Sequence, residues 1–142
     1  MDRKTWLKEM RRVCEEQYDL RWAPLYGERW GIYSNRSHLQ FLQAFINLLP
    51  SNGKVLDAAC GAGRYIPYLL EQEHTVLGID QSQGMLVRAQ DEFPDVLFEK
   101  LGLQEIAFES VFDGAICMDA MENVLPEDCP VVLGNFNRAL KA

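Results

Sequence analysis

The sequence holds no C-x-x-C pair and only two histidines, His38 and His74, beside four isolated cysteines, Cys14, Cys60, Cys117 and Cys129. That is poor material for a zinc site, so no metal is expected. Long apolar runs are also missing. Stretches such as Val131–Leu133 fall far short of the roughly 20 residues that cross a bilayer. Residues 1–20 are densely charged and contain no apolar core of a secretory signal. The expected setting is therefore cytoplasmic, with all four thiols reduced and no membrane partner. Repeats and low-complexity tracts are absent too. Basic charge is scarce: 14 Lys and Arg stand against 21 Asp and Glu, a net −7. Residues 1–36 carry a net +2 and residues 37–142 a net −9. An acidic body lacks the basic face that binds a duplex, so no nucleic-acid partner is expected.

What is present suits one folding unit. The chain has 142 residues, 48% apolar and 25% charged. A chain of this size buries roughly 70% of its unfolded surface and folds without disulfides or metal. Residues 3–19 read as a helix, with Trp6, Met10, Val13, Cys14 and Tyr18 roughly on one face. Residues 20–35 read as irregular and aromatic-rich. A strong helix follows from Ser37, where Leu39, Leu42, Phe45, Ile46 and Leu49 keep helical spacing up to Pro50. The period then changes. Lys54–Ala59, Thr75–Ile79, Val96–Phe98 and Phe112–Met118 read as strands. Helices are expected over Arg64–Gln72, over 83–92 behind the N-cap Ser82, and from Pro130 at its first position to Leu140. Strands alternating with helices at this spacing mean an α/β fold with a parallel sheet and right-handed crossovers.

The chemistry concentrates in Val55-Leu56-Asp57-Ala58-Ala59-Cys60-Gly61-Ala62-Gly63-Arg64-Tyr65. An apolar strand runs into a turn of small residues and then into a helix. Gly61 and Gly63 let the backbone turn tightly and approach a ligand, and the following helix aims its N-terminal amides there. Asp80, 19 residues after Gly61, ends the next strand, where an acid accepts hydrogen bonds from ribose hydroxyls. The dinucleotide fingerprint needs a third glycine where Ile66 stands, and the phosphate loop needs a G-K-[ST] that is missing. The carboxylate of Asp57 would repel a pyrophosphate and suits a ligand with a cationic amino group. A dinucleotide oxidoreductase is therefore disfavoured.

These residues resemble the class I S-adenosylmethionine-dependent methyltransferases, in particular the small-molecule branch called type 11 or domain 25. Val55–Tyr65 matches the family's first motif, with Ala59 at its usual first glycine. Val76–Ser82 matches the second motif, Gly84-Met85-Leu86 the run after it, and Phe112–Ala120 the fourth-strand motif. The resemblance covers residues 35–142, expected as the S-adenosylmethionine-binding Rossmann-like domain. Residues 1–34 match loosely and are expected as an N-terminal helix and aromatic lid segment. It implies a Rossmann-like sheet of order 3-2-1-4 with helices on both faces. The family's strands five to seven are missing here, and the expectation is of a truncated piece, or of strand four as an edge covered by a homodimer partner or by a missing C-terminal segment.

The resemblance also implies roles. Asp57 would hold the methionine amino group, while Ala59, Gly61 and Gly63 would line the methionine and ribose. Asp80 would bind the ribose hydroxyls, with Gln81 and Met85 beside the adenine. Leu103 and Gln104 would flank the adenine ring, although Gly102 stands where the family often has an Asp. Met118, Asp119 and Ala120 would lie near the methyl group and the acceptor. Methyl transfer from a sulfonium needs proximity and a shielded site above all. A hydroxyl acceptor would also want a general base, for which His38, Asp119 and Glu122 are candidates. Tyr18, Trp22, Tyr26, Trp30 and Tyr33 form either a lid, with Tyr26 foremost, or the packing of the N-terminal helix. The expected function is S-adenosylmethionine-dependent methylation of a small-molecule acceptor; the alternative is a cofactor-binding module without catalysis.

Overall fold

The computed structural model describes residues 1–29 and 35–142, with the Arg29 side chain set aside. Four short segments pair as strands: β1 (Lys54–Ala58), β2 (Thr75–Asp80), β3 (Leu97–Lys100) and β4 (Gly114–Ile116). They form one parallel sheet in the order β3-β2-β1-β4. This is the Rossmann-like order the motifs implied. Val55 stands opposite Val76 and Gly114, and Asp57 opposite Gly78 and Ile116. After Lys54, β1 is buried on both faces, as a central parallel strand must be.

Side chains alternate across a strand, so the sheet separates two cores. Val55, Val76 and Ile116 face α3 (Arg36–Ile46) and α4 (Ile66–Leu70), which contribute Leu42, Ile46, Ile66 and Leu69. Phe93, which caps the C-terminus of α5 (Gln83–Glu92), packs on the same side. Leu56, Ala58 and Ile79 face α6 (Cys129–Ala139) through Val132 and Ala139, with Leu103 and Ile106 beside them. Helices therefore cover both faces.

Local chemistry fixes the helix ends. Asn35 caps α3 by accepting from the Ser37 and His38 amides, so α3 starts a residue before Ser37. Ser82 caps α5 by accepting from the Met85 amide at 3.2 Å. α4 is shorter than Arg64–Gln72: the turn that follows β1 runs on to Tyr65, the N-cap, and the chain turns again after Leu70, reaching φ of +59° at Glu73. β4 is confined to three residues. Ahead of it, Phe112 bridges Leu140 in parallel, so the end of α6 runs beside the start of the edge strand. α6 itself begins at Cys129, with Pro130 second.

The N-terminal segment differs from its sequence reading. α1 (Arg3–Gln17) continues as a π turn over Tyr18–Trp22, a 3₁₀ turn over Ala23–Leu25 and α2 (Tyr26–Arg29). Residues 20–29 are thus helical turns rather than irregular chain, because tertiary bonds override weak propensity. Asp19 accepts from Ser82 Oγ at 2.6 Å and from the Gly84 amide at 2.8 Å, and Arg88 donates to the Pro24 carbonyl at 2.9 Å. The face expected on α1 buries no residue. Charge pairs attach the helix instead: Arg11 grips Asp128 through both guanidinium branches, Lys100 reaches Glu15, and Arg3 meets Glu127. With its carboxylate so engaged, Asp128 stands at the N-cap of α6 without capping it. None of the described helices is long and apolar enough to cross a membrane.

Candidate functional site

Parallel strands deliver their following loops to one end of the sheet, and an open α/β sheet binds ligands there. A cavity of about 610 Å³ lies at that end. The loop after β1 contributes Ala59, Cys60, Gly61, Arg64 and Tyr65. The loop after β2 contributes Asp80 and Gln81, with Met85 from α5. Leu101 to Gln104 come from the loop after β3, and Met118 to Ala120 with Glu122 to Val124 from beyond β4. Tyr18, Trp22 and Tyr26 close it from the N-terminal segment. Trp30 and Tyr33 lie outside the described residues.

Asp80 is the best-prepared group in this cavity. It is 8% exposed, and it accepts from the Ser82 amide at 2.8 Å through Oδ1 and from the Gly61 amide at 2.9 Å through Oδ2. Burial pushes its pKa up, while those two amides pull it down. Each oxygen keeps lone-pair capacity for a further donor.

Two expected site residues stand back from the cavity wall. Asp57 lies within β1, 1% exposed, and its Oδ2 has no hydrogen-bond partner. Burial, and then the charge of Asp80, raise its pKa to about 7. Gly63 turns its α-carbon toward α5, where an added Cβ would meet the Phe93 ring at 2.8 Å. Its small size serves packing below the cavity. Ala59 does line the cavity, and it holds φ of +59°, a left-handed conformation that glycine adopts without strain. A glycine, which the resemblance places there, would carry no such strain.

Around the adenine-side candidates the loop is tied down. Asn135 donates to the Leu103 and Gln104 carbonyls at 3.0 and 3.1 Å. Gln104 donates to Asp128 at 3.2 Å, and the Gly102 amide donates to Glu105 at 2.9 Å. Gln81 donates to the Cys14 sulfur at 3.4 Å.

Two of the three catalytic candidates, His38 and Asp119, meet beside the cavity. His38 Nε2 is 3.3 Å from Asp119 Oδ1, and Arg64 is 3.5 Å from Asp119 Oδ2. His38 Nδ1 is 2.6 Å from the Tyr65 hydroxyl. Asp119 and Tyr65 line the cavity, whereas His38 stands behind them. Sequence reasoning did not single out Tyr65, Arg64 or Cys60 as cavity-lining residues. Their position within the glycine turn, Cys60 before Gly61 and Arg64 and Tyr65 just after Gly63, is the signal that could have found them. Asn123 and Val124, at the end of a short 3₁₀ turn over Met121–Asn123, left no such signal.

Comparison with known proteins gives a consistent picture. The family described as Methyltransferase domain matches residues 55–142. An uncharacterized methyltransferase of Synechocystis, sll0829, is 32% identical over 97 residues, spanning 67% of this chain and 46% of that protein. The ubiquinone/menaquinone biosynthesis C-methyltransferase UbiE of Campylobacter jejuni is 42% identical over 64 residues, 40% of this chain and 27% of that one. The chain thus spans less than half the length of these curated relatives. Among solved structures, a TehB-like SAM-dependent methyltransferase from Corynebacterium glutamicum superposes with a TM-score of 0.65 at 29% identity, over 92% of this chain and 68% of that one. The magnesium protoporphyrin IX methyltransferase of Synechocystis, solved with bound SAM, shares the fold at a TM-score of 0.74 and 18% identity, over 92% and 72%.

Proposed function

Because the chain belongs to the methyltransferase domain family, we propose that its cavity holds S-adenosylmethionine and serves methyl transfer to a small-molecule acceptor. The observation that carries this reading is Asp80: a nearly buried carboxylate, oriented by two backbone amides, at the end of the second strand of a 3-2-1-4 sheet. Such an acid is placed to accept hydrogen bonds from the two ribose hydroxyls.

The remaining residues fit the rest of the cofactor. Asp57 is a buried carboxylate with an orphaned oxygen, and a cationic amino group above it, reached directly or through water, would complete it. Ala59 and Gly61 form the turn beneath the methionine and ribose. Gln81 and Met85 flank one side of the adenine and Leu103 and Gln104 the other. Gly63 supports the turn through its packing on Phe93. Tyr18, Trp22 and Tyr26 cover the cavity, and aromatic faces attract a sulfonium. When bound, the cofactor supplies an electrophilic methyl group for in-line displacement. The protein's part is to align the acceptor beside Met118 and Asp119 and to exclude water.

Calorimetric titration with S-adenosylhomocysteine, with NAD as control, tests the reading. Binding of the first alone supports it. Asp80→Ala should weaken that binding by about 1–3 kcal/mol, the magnitude of a buried charge-assisted contact. Unchanged affinity in a variant that still unfolds cooperatively would sink the ribose assignment.

A further inference from the structure

Four polar side chains from three separate parts of the chain meet at one wall of the cavity. Asp119 comes from the loop after β4, His38 from the first turn of α3, and Arg64 and Tyr65 from the start of the helix after the glycine turn. Their contacts have a direction. A carboxylate only accepts, so Asp119 Oδ1, 3.3 Å from His38 Nε2, favours the ring proton on Nε2. In a neutral imidazole the other nitrogen is then a bare acceptor. That nitrogen, Nδ1, lies 2.6 Å from Tyr65 Oη, so the phenol donates to it. The order is Tyr65 O–H to His38 Nδ1, and His38 Nε2–H toward Asp119. This is the logic of a nucleophile or acid held by a base that a third group orients.

The cluster is also shaped to carry charge. Tyr65 is 7% exposed, and burial holds its hydroxyl above the ordinary value, while the adjacent Arg64 guanidinium pulls it back down. Arg64 lies 5.8 Å above the rings of both Tyr65 and Tyr26. A phenolate formed transiently at Tyr65 would therefore face a fixed cation. Asp119 is held at φ of +53°, a left-handed conformation that aspartate adopts more readily than most residues.

We propose that Asp119, His38 and Tyr65 form a proton relay in which Tyr65 takes the proton of an O–H or N–H acceptor. This rests on the methyl-transfer reading of the same cavity. As the acceptor's lone pair forms its bond to the methyl carbon, the carbon–sulfur bond breaks and its electron pair stays on sulfur. The acceptor's proton passes to Tyr65 Oη, the Tyr65 proton passes to His38 Nδ1, and the imidazolium rests against Asp119 until it releases a proton to water. Tyr65 is the catalytic residue of the three; His38 and Asp119 act through it. The acceptor class is accordingly one that must lose a proton, such as a phenol, an alcohol or a ring N–H.

The relay requires a particular tautomer, which nitrogen-15 NMR of the histidine-labelled full chain reads without any acceptor. His38 and His74 are the only two imidazoles, each with two ring nitrogens, and His38→Gln assigns their signals. The expected result is a neutral His38 ring protonated at Nε2. Tyr65→Phe should then shift the Nδ1 signal toward that of a free acceptor, and Asp119→Asn should give a mixture of tautomers. The His74 signals should not move in either variant. A ring protonated at Nδ1, or an Nδ1 signal indifferent to Tyr65→Phe, overturns the relay. S-adenosylhomocysteine titration in parallel separates the two ideas. A wrong tautomer with binding intact overturns the relay alone. A right tautomer without binding overturns the methyl-transfer reading and, with it, the relay's role.

Discussion

The two ends of this chain are held by different physics. The body around β1 is held by burial: Val55, Leu56 and Ala58 are fully inaccessible, with apolar side chains on both faces. α1 buries no residue and is attached by pairs of opposite charge. Apolar burial stabilises by about 1.5–3 kcal/mol per large side chain, whereas an exposed ion pair contributes about 0–1 kcal/mol. The lesson is that the sheet and its strand-end loops form the stable platform, and α1 is the part held to it by the weaker contacts.

The strongest way to break the contrast is inside the body. Leu56→Ala should lower unfolding stability by about 2–5 kcal/mol, the cost of a cavity in a packed core, read as a shifted urea midpoint with unchanged slope. A loss below about 1 kcal/mol would show that the core relaxes around the gap.

Asp57 is next, because it places a carboxyl with an unpartnered oxygen inside the apolar body. Its carboxyl titrates near 3.8 when unfolded and at about 7 when folded. The folded state therefore binds the proton more tightly than the unfolded state across that window. Stability should fall as pH rises from about 4 to about 7, by at most about 1.4 kcal/mol per pH unit. Asp57→Asn should flatten that slope and leave a chain more stable than wild type above pH 7. Identical slopes in the two proteins, measured by urea unfolding at several pH values, would contradict the assignment.

At the other end the effects are smaller. Arg11→Ala removes the bidentate grip on Asp128, whose side chain is 7% exposed. The cost should be about 0.5–1 kcal/mol, and faster amide exchange should appear in residues 3–17 while β1 stays protected. High salt should mimic part of that exchange. Smallest of all, Ala59→Gly relieves a left-handed backbone at φ +59° and should change stability by a few tenths of a kcal/mol to about 1 kcal/mol in the favourable direction, read as a raised Tm.

How much of this was legible in the sequence follows the same division. β1 and β2 were readable because strands buried on both faces leave continuous apolar runs. Ser82 was readable because a hydroxyl just before a helical pattern caps it, and residues 83–92 are the helix expected. The strand order came with the motif resemblance. The N-terminal turns were not readable: Trp22, Pro24 and Gly27 argue against helix locally, and what holds them helical is a set of bonds from Asp19 and Pro24 to residues some 60 positions away. β4 was drawn too long because the apolar run from Phe112 to Met118 marks burial, not ladder bonds. The meeting of His38, Tyr65 and Asp119 was invisible for a similar reason: it exists only once α3, the glycine turn and the loop after β4 share one end of the sheet.

Gly63 has a consequence for how this chain tolerates change. A side chain there would need both a left-handed backbone at φ +84° and room that the Phe93 ring occupies. Phe93 cannot simply swing aside, since it packs on the core of that face. In a saturation library scored for folded protein, position 63 should be nearly monomorphic, while Gly61, which has open space around its α-carbon, should accept Asn and Asp among its neighbours in sequence space. Two glycines that look interchangeable in the motif are thus under unlike constraints, one conformational alone and the other conformational and steric together.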